Sequence, residues 1–311
     1  MTGTVTGYDG AKWTLPPLLA WEIGRTDGAP CGSFRVQFAA EQGMAEKLRR
    51  GMRFSAFENG AVVFSGVVDE AEITLDSQGL TAELTGRDLS ALLLDNETRA
   101  AEFQSAQLRD ILARYVTPWG INLVDADALP PVEGFSVGTG ESCWRVLDGF
   151  CRHAAGVQPR FLADGTLRLR RESGGKLLEL NTEKALELRF TARRYGVISS
   201  QTVVDLSRKT VQTVPNVKFL AQMGQCEKVI TRSGWTMQPG WRTAQQRIDD
   251  SCREAAMLRL ALPGSFLAEP GDRLRVNDGR LGLAGTFTVT SAATRLDGGG
   301  LTTELTAREG L

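Results

Sequence analysis

At 311 residues, with 42% hydrophobic and 23% charged residues, the chain is long enough for two or three globular domains that bury their own cores without disulfide staples. Thirty-six Lys and Arg against 37 Asp and Glu leave a formal net charge of -1, which excludes a strong electrostatic draw toward nucleic acid or an anionic membrane. Five scattered cysteines without C-x-x-C spacing (Cys31, Cys143, Cys151, Cys226, Cys252) exclude a secreted disulfide scaffold. Reduced thiols in a cytosolic setting are expected. The first residues lack the charged and apolar regions of a signal peptide, and no apolar run is long enough to span a bilayer.

In chain order, period-two alternation predicts strands over 18–25, 33–39, 53–58, 61–69, 70–75 and 80–86, with a short helix over 44–50 closing one end of a barrel. Asn59-Gly60 marks a tight hairpin. Ser105 is placed to cap a helix in which Leu108, Ile111, Leu112 and Tyr115 share one face, ended by Pro118 and Gly120. A short strand over 121–124 and the loop Leu129-Pro130-Pro131 follow. A second helix over 141–154 buries Trp144, Leu147, Phe150 and Cys151, and Gly156 stops it. Residues 157–162 and 167–171 form a hairpin about Asp164-Gly165. Strand-rich sequence covers 197–206, and 209–241 is read as a long hairpin or arm. Thr243 and Gln246 suggest a capping box that opens a helix to 258.

An internal repeat ties the ends of the chain together. Residues 75–88 read LDSQGLTAELTGRD and 296–309 read LDGGGLTTELTARE, an offset of 296 − 75 = 221 with nine of fourteen identities. Upstream, Gly51-Met52-Arg53-Phe54 corresponds to Gly271-Asp272-Arg273-Leu274. Glu58-Asn59-Gly60 corresponds to Asn277-Asp278-Gly279, and Ser65-Gly66-Val67-Val68 to Ala284-Gly285-Thr286-Phe287. The expected fold is mainly β with an α+β insertion: two similar antiparallel β-barrels flanking a small α/β domain. The expected boundaries are 1–97 for the first barrel, 98–184 for the insertion and 185–311 for the second barrel. The last of these includes the arm (209–241) and the helix (243–258).

Catalytic and metal-ligating constellations are not found. The single histidine, His153, sits at a helix C-terminus beside Arg152, where the macrodipole favours it. No nucleophile elbow, Walker motif or G-x-G-x-x-G occurs. Gly138-Thr139-Gly140 and Gly298-Gly299-Gly300 read as turns. The carboxylate pairs Asp69/Glu70 and Asp249/Asp250 read as solvated faces. The basic groups Arg49/Arg50/Arg53, Arg168/Arg170/Arg171 and Arg193/Arg194 read as salt-bridging or subunit-contact residues, because the aromatic platforms of single-strand binders are missing. No catalytic residue, cofactor or metal ligand is assigned, and interface residues are left unassigned.

The order of several motifs resembles the baseplate hub proteins of phage tails, the late-control D and PBSX-type tail hub family. They are Thr85-Gly86-Arg87-Asp88 before the apolar 89–94, the helix ending at Tyr115 with Trp119-Gly120-Ile121, and Trp144-Arg145-Val146-Leu147-Asp148 followed by Gly156 and the Asp164-Gly165-Thr166-Leu167 turn. Glu269-Pro270-Gly271-Asp272-Arg273-Leu274 and Gly285-Thr286-Phe287-Thr288-Val289 complete the set. The resemblance implies a non-enzymatic homotrimer whose six barrel modules form a pseudo-sixfold ring. That ring would join a hexameric tail tube or tube-initiator protein to a trimeric spike or tip, with tape-measure protein a candidate occupant of the lumen. It implies no sequence-specific nucleic acid and no membrane span. The chain would be a virion component of the tail baseplate, assembled in the bacterial host cytoplasm. The alternatives are a tail-associated peptidoglycan hydrolase and a cell-wall-binding module.

Overall fold

The computed structural model describes residues 1–309 except 28, 78, 171–174 and 233–239. The chain is mainly β and divides into two compact units. One comprises Met1–Gly175, Leu262–Gly271 and Thr290–Glu304; the other comprises Lys176–Ala261, Asp272–Val289 and Leu305–Leu311.

The first unit opens with β1 (Thr2–Gly7), β2 (Lys12–Thr14), β3 (Leu18–Thr26), β4 (Ser33–Ala39), α1 (Met44–Arg50), β5 (Gly51–Glu58), β6 (Ala61–Asp76) and β7 (Gly79–Asp88). The ladder runs β3-β4-β7-β6-β5-β1-β2, all antiparallel. Alternation decides which face is buried: Phe34, Val36 and Phe38 of β4 point inward, and Arg35 points out. Side chains from β1, β3, β4, β5, β6 and β7 enter one cluster with Met44 and Leu48 of α1. A single ladder can do this only by curling about its own core. The expected strands 61–69 and 70–75 are one strand, β6, bent by a bulge between Val68 and Glu70. Asn59 (φ 50) and Gly60 (φ 82) both take the left-handed conformation that a two-residue hairpin requires.

The same unit continues with α2 (Ala91–Leu94), β8 (Ala101–Ala106), α3 (Leu108–Tyr115), β9 (Val124–Ala126), β10 (Val132–Val137), α4 (Cys143–Ala155), β11 (Arg160–Phe161) and β12 (Leu167–Leu169). A second core gathers Ile111 and Tyr115 of α3, Leu147 and Phe150 of α4, and Leu167 and Leu169 of β12. Ser142 caps α4 by accepting from the Arg145 N–H, and Gly156 (φ 69) ends it. Ser105 is not a helix cap. It lies in β8, and Gln107 with Asp110 forms the capping box of α3. The strand expected over 121–124 begins only at Val124, and Ile121 is buried in the core ahead of it.

The second unit holds β13 (Leu177–Glu179), β14 (Glu187–Ala192), β15 (Ser200–Asp205), β16 (Thr210–Pro215), α5 (Val217–Ala221), β17 (Glu227–Arg232), α6 (Gly240–Cys252), β18 (Ala256–Pro263) and β19 (Arg273–Asp278). The end of β18 from Leu262 belongs to the first unit, and the last strands, β20 (Leu283–Asp297) and β21 (Gly300–Glu309), likewise contribute residues to both units. The ladder order β14-β18-β21-β20 continues through β19 to β13, which pairs in parallel. The arm expected over 209–241 is instead part of a small sheet, β16-β15-β17, against which α6 packs. Its residues 233–239 lie outside those described. The helix expected over 243–258 starts earlier and stops earlier. Thr243 lies inside α6, and from Ala256 the chain is strand, because Leu258, Leu260 and Leu262 repeat at period two and are buried.

Candidate assembly surface

The ladder extends the repeat well beyond the fourteen residues of its core. Strands β5, β6 and β7 are 8, 16 and 10 residues long, and β19, β20 and β21 are 6, 15 and 10. Gly79 (φ 125) and Gly300 (φ 103) hold the same place in the second turn. Leu80 O accepts from Ala40 N, and Leu301 O accepts from Gly264 N. That equivalence sets β18 against β4, so that Leu258, Leu260 and Leu262 stand for Phe34, Val36 and Phe38, all buried. Pairing then sets β14 against β3: Leu188 opposes Leu260 as Trp21 opposes Val36, and Phe190 opposes Leu258 as Ile23 opposes Phe34.

Pairing also corrects the sequence alignment of β6 with β20. Phe54 opposes Gly66 and Ala56 opposes Phe64, whereas Leu274 opposes Phe287 and Val276 opposes Gly285. Gly66 therefore corresponds to Phe287 and Phe64 to Gly285. The slip of two residues keeps every side chain on its face, and the bulk moves from one position to the next. The Asp278-Gly279 turn also differs from a two-residue hairpin. Gly282, not Gly279, has positive φ (65), and the Asp278 carboxylate accepts from the Arg280 and Leu281 N–H groups.

The copies differ at their edges. Residues 291–296 of β20 pair antiparallel with β3, from Ser291↔Thr26 to Leu296↔Trp21. Among the described residues, their counterparts, residues 70–75 of β6, carry β7 on one side only. All of them but the half-buried Ile73 are exposed, Leu75 to 77%. Among the described residues β14 likewise carries only β18. Its Leu188 and Phe190 are half-buried where Trp21 and Ile23 are buried.

The polar residues singled out in the sequence mostly meet ion partners. Arg87 of the G-R-D step binds Asp69 (2.7 Å) and Asp95 (2.7 Å), which raises its pKa and lowers that of Asp95. Asp88 is buried, and desolvation pushes its pKa up. It accepts from Gly32 N (2.6 Å), Ser90 N (2.9 Å) and the Ser90 hydroxyl, whose Oγ also lies 2.9 Å from Cys31 Sγ. Burial holds the Cys31 thiol up at about 11, so it is not a thiolate nucleophile. Arg168 and Arg170 pair with Asp125, and Arg193 with Glu254; Arg171 lies outside the described residues. Arg50 pairs with Glu46. Asp250 pairs with Arg253, and Asp249 accepts from Gln245. Glu70 is exposed on β6, and His153 is half-buried in the last turn of α4. Thr98 Oγ1 binds Gly138 O beside the turn at Gly140 (φ 79), and Asp297 accepts from Gly299 N in the hairpin of the second copy. Among the described residues no three His, Cys, Asp or Glu side chains are grouped to hold a metal, and no helix is long and apolar enough to cross a membrane.

One carboxylate has a testable pH signature. Arg280 chiefly, with Thr182 and the Leu281 N–H, holds the Asp278 pKa well below its ordinary value. A lowered folded-state pKa contributes stability above the unfolded-state value of about 3.9 and loses it as the pH falls through the folded-state pKa. The urea midpoint of Asp278→Asn should lie below that of the native chain at pH 6. The gap should narrow as the pH falls below about 4; a gap independent of pH would refute the assignment.

Residues 90–171 match the family model described as baseplate hub protein gp44-like, second domain. That span runs from Ser90 through α2, α3, α4 and the β11–β12 hairpin. No curated protein matches the chain. Among solved structures, the fold is similar to that of the tail protein from Neisseria meningitidis MC58, with TM-score 0.78, 18% identity, and 99% of this chain and 96% of that one covered. It is equally similar to the 43 kDa tail protein of prophage MuSo2 from Shewanella oneidensis, with TM-score 0.78, 18% identity, and 99% and 98% covered. The prophage tail protein gp18 from Listeria monocytogenes EGD-e gives TM-score 0.66 at 12% identity, with 100% and 96% covered. The likeness to phage tail hub proteins, first read from scattered motifs, thus stands on a baseplate-hub family match over residues 90–171 and a prophage tail-protein fold along the whole chain.

Proposed function

We propose that the chain is a structural hub of a phage or phage-like tail baseplate, a virion component that acts by geometry rather than by catalysis. Three copies would place six related modules in a pseudo-sixfold ring, able to face a hexameric tail tube on one side and a trimeric spike or tip on the other. Within this reading the chain divides at 1–97, 98–184 and 185–311. The observation that carries it is the duplication of β3-β4-β5-β6-β7 as β14-β18-β19-β20-β21. A trimer can meet a sixfold partner with equivalent contacts only if each subunit supplies two equivalent modules. The family match at residues 90–171 supports the same reading.

Light scattering on the purified chain tests it. The expected mass is three times that of the chain, with association to tube and spike components when these are mixed in. A strict monomer at high concentration that binds neither component would overturn the reading. Clearing of peptidoglycan by the purified protein would replace it with a hydrolase.

A further inference from the structure

We infer that the open edge of β6 is completed by β14 of a second copy, in the register that β20 already makes with β3 inside one chain. The inference rests on the assembly reading above and adds its contact residues. Within the chain, residues 291–296 of the second β-repeat pair with residues 26–21 of the first. The equivalences established by the ladder carry each partner across. Residues 291–296 correspond to 70–75 by the offset of 221, and residues 21–26 correspond to 188–193 through their pairing with β4 and β18. The transferred register is Glu70 against the partner's Arg193, Ala71 against the partner's Ala192, and Glu72 against the partner's Thr191. It continues with Ile73 against the partner's Phe190, Thr74 against the partner's Arg189, and Leu75 against the partner's Leu188.

Three observations agree with this pairing. Residues 70–75 and 188–193 are the more exposed members of each equivalent pair of strands, as expected where a neighbour is missing. The transferred register sets apolar against apolar on the inner face, Ile73 with Phe190 and Leu75 with Leu188. On the outer face it sets Glu70 opposite the partner's Arg193, which within its own chain pairs with Glu254, and puts Glu72 diagonal to the partner's Arg189 and Arg193. Acidic side chains on β6, Glu70 and Glu72, disfavour pairing of this open edge with another copy of itself. Each copy offers one acceptor edge and one donor strand, so the contact is heterologous and repeats from copy to copy, closing as a ring where each step turns by a third of a circle.

Cross-linking reads the register directly. Asp27 N donates to Thr290 O, so every second pair from there is hydrogen-bonded, and Glu72 with the partner's Thr191 falls at a non-hydrogen-bonded position. Cα atoms there lie about 4.5 Å apart, within disulfide reach. Under mild oxidation, the double variant Glu72→Cys/Thr191→Cys should give a closed covalent trimer on a non-reducing gel. Either single variant, and the off-register pair Glu72→Cys/Glu187→Cys, should remain single chains. If light scattering finds a trimer but the double variant does not cross-link, the edge pairing is wrong and the assembly reading survives. If the off-register pair cross-links as well, the register is wrong. A chain that never associates overturns both proposals.

Discussion

Gly86→Ala is expected to destabilise the N-terminal sheet by about 3 kcal/mol or more, near the upper end of what overpacking costs. A Cβ built on Gly86 would lie 2.0 Å from the Val67 carbonyl oxygen and 2.6 Å from the Phe34 ring. Neither neighbour can give way. One is ladder backbone beside the β6 bulge, and the other is a ring 3% exposed in the core. Gly86 has no positive φ, so the constraint is space and not backbone strain. The equivalent residue of the second copy is Ala307, which is fully buried and accommodated. Ala307→Gly should therefore cost only about 1 kcal/mol, the usual price of a glycine inside a regular element. Urea unfolding of the two variants settles the matter. Equal shifts, or a Gly86→Ala loss of under about 1 kcal/mol, would mean that the close approach of β6 and β7 is relaxed in solution.

Phe54→Ala is expected to cost about 3–5 kcal/mol, the range for truncating a fully buried aromatic. Phe54 is 0% exposed, and its ring stacks on Phe34 with centroids 4.2 Å apart and planes at 15°. Phe34 in turn meets Phe64 at 5.4 Å. The three rings come from β4, β5 and β6, so the loss should fall on the curl of the sheet and not on one strand. A double-mutant cycle with Phe34→Ala should give a coupling of about 0.5–1.5 kcal/mol, since each truncation removes a face that the other ring uses. Additive losses would show that the two rings merely share a core. The second copy reaches the same filling differently: Leu274 replaces Phe54, and Phe287 occupies the place of Gly66 opposite it.

Periodicity, turn residues and the repeat were enough to read β3, β4, β7 and α1 nearly to the residue, along with the mainly β class and the relatedness of the chain's two ends. Those features depend on local rules: alternation places side chains on faces, and Asn-Gly turns need positive φ. The errors arose where long-range packing competes with a local signal. Ser105 offered a cap, but β10 captured its backbone into β8. Residues 256–258 continued a helical pattern, but Leu258 found its core at period two. The small sheet β16-β15-β17 was unreadable because its middle strand pairs in parallel with β17, more than twenty residues on. Which β6 residue answers which β20 residue needed the ladder, since a two-residue slip conserves the pattern.

From sequence alone, then, came the duplication, the near-neutral charge and the scarcity of catalytic side chains. The tertiary structure alone revealed that the duplicates are unequal at their edges, β20 paired and its counterpart on β6 open. Edge pairing is a property of backbone hydrogen bonds between segments far apart in the chain. Side-chain sequence constrains that pairing only weakly until the fold has brought the strands together.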